Sequence, residues 1–161
     1  MSFISTIAAD DATDDVREMY QRQQDHWGYV PNYAKVFSHR PQVLARWAGL
    51  LAELKRPMDA RQFELITFAA AQALRHSYCS LAHGQALLAF FSEEELAAII
   101  DRKYEGVLID AEIVMMRFAR KVATEAFRVT RGDTEVLKAN GFSDDDIFDI
   151  AAVAALSLIH I

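Results

Sequence analysis

The stretch "FELITFAAAQALRHSYCSLAHG", residues 63–84, holds the only cysteine of the chain, Cys79, between two histidines, His76 and His83. From Phe63 to Leu74 it is apolar around much of a helical girth. That pattern predicts a helix at the centre of the domain rather than on its surface. Asp59, four residues upstream, is the N-cap that starts it. "SYCSLAHGQALLAFF" then reads as the next helix or as a continuation of the same one.

The same helical period extends outward in both directions. Upstream, "PQVLARWAGLLAELKRP" opens on Pro41, stripes Val43, Leu44, Trp47, Leu50, Leu51 and Leu54, and stops at Pro57. "YVPNYAKVFSHRP" is a short helix between Pro31 and Pro41. "DATDDVREMYQRQQDHWG" carries acids first, then Val16, Met19 and Tyr20 on one stripe, and stops at Gly28. Downstream, Ser92 and Glu95 in "SEEELAAIID" form a capping box. "DAEIVMMRFARKVATEAF" and "RGDTEVLKANGF" follow, with Gly141 as a helix C-cap. In "SDDDIFDIAAVAA" Ser143 caps the helix, and three aspartates favour its positive end. No strand-like alternation, linker or internal repeat is found. The expectation is an all-α single domain of about seven or eight helices.

Composition narrows the function. The chain has 161 residues, enough for one domain with a real core, and 52% of them are hydrophobic. A net charge of −6 argues against nucleic acid or an anionic membrane as main partner, because both reward basic surfaces. No apolar run approaches a membrane-spanning length. One cysteine makes no internal disulfide and fits a reducing cytoplasm. The start, "MSFISTIAADDATDD", lacks the basic flank and apolar run of a signal peptide. The last six residues, "LSLIHI" (156–161), are what CTG TCT CTT ATA CAC ATC encodes, the mosaic end of a transposase sequencing adaptor. They are read as adaptor read-through rather than native sequence, and His160 is set aside with them.

Four residues carry chemical promise: Glu64, His76, Cys79 and His83. Positions i, i+3 and i+7 share a helix face, which fits His76, Cys79 and His83. Glu64 must reach them from the preceding helix or an earlier turn. The stretch resembles the core of the carboxymuconolactone decarboxylase superfamily, which includes alkylhydroperoxidase D. The peroxidase branch carries Glu, eleven residues, Cys, two residues, Cys, three residues, His. On this chain Glu64, Cys79 and His83 fall on the Glu, the second Cys and the His, and His76 stands at the first Cys. The likeness extends to "GYVPN" and "ANGFSDDDIFDIAA". It implies an alkylhydroperoxidase D-like domain over residues 28–155, preceded by an N-terminal helical segment, 1–27. It also implies a homo-oligomer and thiol-dependent peroxide reduction with Cys79, His83, Glu64 and His76 at the catalytic site.

The chemistry of the residues agrees with part of that role. A thiol reacts as thiolate. His83, one turn on, can take its proton, and Glu64 can orient that histidine. A helix beginning near Ser77 would add its N-terminal dipole, and a protonated His76 would help to hold the thiolate. Without a cysteine at position 76 there is no internal resolving thiol, so an oxidised Cys79 stops at sulfenic acid and needs an external thiol reductant. No metal and no cofactor is expected, although all four residues are competent zinc ligands.

Other readings stay open. Cofactor-free acid–base catalysis on a lactone would use His83 and Glu64, with Cys79 as bystander. A non-enzymatic oligomeric helical module with a vestigial site is a third reading. Singly, Cys79 is a buried inert thiol, His83 a core histidine, Glu64 a partner of Arg61 or Arg75, and His76 an exposed helix end. Met115, Met116 and Phe118 read as a core stripe. "HWGYVPNY" packs a loop onto the core or lines a pocket. Asp144 to Asp146 form a helix first turn, not a calcium loop.

Overall fold

The computed structural model describes residues 4–156, all of whose regular elements are helical. Of the six residues read as adaptor-derived, Leu156 ends the last helix and the other five lie outside the described residues. Residues 4–52 and residues 53–156 form two compact units.

The first unit holds α1 (Asp14–Trp27), α2 (Asn32–Val36), a 3-10 turn (Phe37–His39) and most of α3 (Pro41–Lys55). Gly28 ends α1 at φ 77°, a left-handed conformation that a side chain would resist. Its core is Ala12, Met19, Tyr20, Ala34 and Leu44, with Val16, Val30, Tyr33, Phe37 and Trp47 packed against it. The aromatic segment therefore divides. Val30 and Tyr33 join the core, whereas Trp27 and Tyr29 stand 52% and 55% exposed.

The second unit holds α4 (Ala60–Ala73), α5 (Ser77–Leu87), α6 (Glu93–Ile100), α7 (Asp110–Glu125), α8 (Arg131–Ala139) and α9 (Asp144–Leu156). Nine α-helices among the described residues exceed the seven or eight expected, because 63–84 breaks into two and the short elements count separately. α4 is central and packs against α5, α7 and α9. Its Asp59 cap forms as expected, the carboxylate accepting the N–H groups of Arg61 and Gln62. Phe63, Leu65, Ile66, Phe68 and Ala69 to Ala71 are buried, and the alanines let neighbouring helices come close. Each large side chain among them contributes about 1.5–3 kcal/mol of transfer free energy. Buried Thr67 donates its hydroxyl to the Phe63 carbonyl at 2.9 Å, so this hydroxyl is satisfied inside the layer. Met115 and Met116 are fully buried and Phe118 nearly so, all on α7.

The Ser92–Glu95 box closes reciprocally on α6, and Ser143 accepts the Asp146 N–H at the start of α9. Arg61 grips Glu112 with two bonds, 2.7 and 3.1 Å, tying the start of α4 to the start of α7. Glu112 holds the Arg61 guanidinium above its ordinary value. Among the described residues no helix is long and apolar enough to cross a membrane.

Candidate active site

The site is built on the corner between α4 and α5. The Arg75 N–H bonds to the Gln72 carbonyl at 3.2 Å and the His76 N–H to the Ala71 carbonyl at 2.9 Å. These two bonds are the signature of a Schellman ending, with Arg75 in the left-handed position at φ 55°. Glycine usually occupies that position; a residue with a side chain costs about 1 kcal/mol there. His76 is both the last residue of this ending and the N-cap of α5. Its carbonyl accepts the Ser80 N–H at 3.0 Å, and its ring Nδ1 accepts the Cys79 N–H at 3.1 Å.

The sequence expectations for His76 are therefore revised. It is not an exposed helix end: it is 9% exposed, and it precedes α5 rather than lying on its face. A ring protonated at Nδ1 would be a donor facing a donor, so the cap requires the other state. A helix does begin at Ser77, and Cys79 sits in its first turn, partly buried.

His83 lies one turn after Cys79 on α5, a spacing that makes neighbours of the two side chains. The Nδ1 of its ring is 2.7 Å from Oε2 of Glu64, which reaches across from α4. Neither Arg61 nor Arg75 takes Glu64, since Arg61 is committed to Glu112. Helix spacing and the sharp corner together bring Glu64 to His83 across nineteen residues of sequence. With Nδ1 engaged by the carboxylate, Nε2 is the ring nitrogen left to exchange a proton with a thiol or substrate. Gly84, beside His83, faces α4: a Cβ there would touch the Phe68 ring at 3.4 Å, leaving no room for a larger side chain.

Two neighbours carry no signal in the sequence. Lys55, at the end of α3, places Nζ 3.8 Å from Oε1 of Glu64 and 4.5 Å from the centre of the Phe63 ring. Phe63 meets the His83 ring edge-on at 6.3 Å. Lys55 reads in the sequence as an ordinary basic residue in a last helical turn, and Phe63 as core. Among the described residues, no three His, Cys, Asp or Glu side chains gather as a metal-binding group. A hollow of about 200 Å³ between α7 and α8, lined by Val114, Phe118, Lys121 and Leu137, contains none of the four candidate residues.

The sequence profile described as "Carboxymuconolactone decarboxylase family" matches residues 41–121, about half the chain and the whole of this corner. The chain belongs to the carboxymuconolactone decarboxylase family. Within it, the fold is that of the alkylhydroperoxidase D-like branch. The chain is similar to the alkylhydroperoxidase AhpD core, a peroxidase-related protein from Ralstonia eutropha JMP134. The TM-score is 0.79 and identity 26%, covering 96% of this chain and 83% of that one. A peroxidase-related protein from Silicibacter sp. TM1040 gives 0.78 at 24% identity, covering 98% and 87%. A cysteine-to-alanine variant of the debrominase Bmp8, in complex with 2,3,4-tribromopyrrole, gives 0.76 at 16% identity, covering 98% and 84%. No curated protein matches the sequence. Family and fold support a peroxidase-related or carboxymuconolactone decarboxylase-type function.

Proposed function

We propose that this chain reduces organic hydroperoxides with Cys79 as the reacting thiol, His83 as its proton acceptor and Glu64 as the group that orients His83. The observation that carries the reading is the 2.7 Å contact between Glu64 and His83, one helical turn from the only cysteine. His83 takes the thiol proton. The thiolate attacks the distal peroxide oxygen, the O–O bond breaks, and the alkoxide leaves with a proton from His83. Sulfur is oxidised to sulfenic acid by two electrons and the peroxide is reduced to an alcohol. An external thiol then condenses with the sulfenic acid, releasing water, and a second thiol frees Cys79 as a disulfide leaves. The reaction needs no cofactor. It suits a homo-oligomer in a reducing cytoplasm; Leu81 on α5, 75% exposed, offers apolar surface for a neighbouring subunit.

The test is stopped-flow consumption of an alkyl hydroperoxide with added thiol. Wild type should turn over and Cys79→Ser should not; equal rates would end the proposal. The Glu64–His83 pair also supports a second reading, acid–base catalysis on a lactone. Under that reading a lactone substrate would be consumed equally by wild type and Cys79→Ser, and His83→Ala would be inactive.

A further inference from the structure

We infer that His76 is a positioning residue for Cys79, an N-cap that holds the first turn of α5 in its neutral form and lets it go when protonated. The inference rests on the reading of Cys79 as the reacting thiol, but its geometry stands apart from that reading. The Cys79 N–H points at Nδ1 of His76 across 3.1 Å, so Nδ1 must present a lone pair. A proton at Nδ1 replaces that acceptor with a donor. It also sets a cation at the end of α5 where the helix dipole is already positive. Both effects oppose the cap. An ordinary histidine changes charge between about pH 5 and 8, the range over which the test is run.

The corner itself does not depend on the ring. The His76 backbone is held on both sides, by the Ala71 carbonyl at 2.9 Å and by the Ser80 N–H at 3.0 Å. Protonation would therefore loosen the turn that carries the thiol without undoing the chain reversal. The charged and titratable groups that the described residues of the corner, α5 and α4 contribute are these. Arg75 adjoins His76 on the corner, and Tyr78, Cys79 and His83 lie on α5. α4, the helix packed along α5, adds Arg61 and Glu64. Arg61 is held by Glu112 of α7, while Glu64 serves His83 and Lys55. Asparagine and aspartate are the usual cap residues, and neither changes charge near neutrality.

Amide hydrogen exchange at Cys79, corrected for intrinsic rate and followed by NMR from pH 8 to pH 5, tests this directly. In wild type the protection should fall about fivefold on acidification, the factor for losing a cap of about 1 kcal/mol. His76→Asn keeps a capping oxygen that does not titrate, and its protection should stay level. His76→Ala should be low throughout. The comparison of wild type with His76→Asn decides the matter even where the alanine variant folds poorly. Protection in wild type that does not change with pH, or that falls equally in His76→Asn, overturns the proposal. Neither readout involves peroxide, so a protein with this titration and no peroxide reduction would refute the proposed reaction while leaving the cap intact.

Discussion

Replacing Glu64 by glutamine removes one charge from the pair with His83 and leaves its shape and one hydrogen-bond partner. The Glu64 side chain is 12% exposed and that of His83 23%, with 2.7 Å between Oε2 and Nδ1. Water therefore screens this contact only in part. Hydrogen bonds to charged groups contribute about 1.5–3 kcal/mol and neutral ones about 0.5–1.5, so the substitution should cost about 1 kcal/mol of orientation and charge stabilisation. Lys55, half exposed and 3.8 Å away, offsets little of this. A loss of about 1 kcal/mol in the transition state corresponds to about a fivefold fall in kcat/KM. Glu64→Ala removes both hydrogen bond and charge, and about 2 kcal/mol, or thirtyfold, is expected. The assay is stopped-flow consumption of an alkyl hydroperoxide under excess thiol, with urea unfolding to confirm that both variants are folded. A folded Glu64→Ala protein with wild-type kcat/KM would refute the reasoning, because His83 would then need no partner.

Three further outcomes follow from the same geometry. His76→Cys places a thiol at the N-cap, three residues before Cys79; after peroxide treatment, mass spectrometry should show a loss of two hydrogens and no dimedone adduct, and a persistent adduct would count against it. Gly84→Ala should be tolerated or raise Tm, since its Cβ meets the Phe68 ring at an ordinary 3.4 Å and helix propensity gains about 0.8–1 kcal/mol; Gly84→Leu should lower Tm by pushing α5 off α4. Asp133 is held down to about 2, first by Lys121 and then by the Thr130 N–H and hydroxyl. A depressed carboxyl stabilises the fold above its unfolded value and loses that contribution as pH falls through its folded one. Asp133→Asn should thus destabilise by about 1 kcal/mol at pH 7 once solvent screening is allowed for, and urea midpoints of the two proteins should converge between about pH 4 and pH 2.

Helix starts set by local side chain to backbone bonds were legible in the sequence: Asp59, Ser92 with Glu95, and Ser143 all cap as their spacing predicts. The break inside 63–84 was harder to locate. No glycine or proline marks it, and the left-handed residue is Arg75, held there by the two backbone bonds of the helix ending. His76 was illegible as a cap for a similar reason, because histidine is outside the usual cap residues and its ring must be in one tautomer to serve. Glu64 and His83 met in the alignment with the family motif. Spacing alone places Glu64 on another helix without choosing among His83, Arg61 and Arg75. Trp27 and Tyr29 show the opposite error: aromatic character suggested packing, yet both are mostly exposed.

The central claim concerns the chemistry of one sulfur. The most direct measurement is the fate of Cys79 after a single equivalent of alkyl hydroperoxide, without reductant, trapped with a dimedone-type probe and read by mass spectrometry. The account predicts one probe adduct, on Cys79, formed quickly in wild type, more slowly in His83→Ala, and removed from the pool by prior addition of an external thiol. A Cys79 that stays reduced after that equivalent of peroxide, in a folded protein, would contradict it.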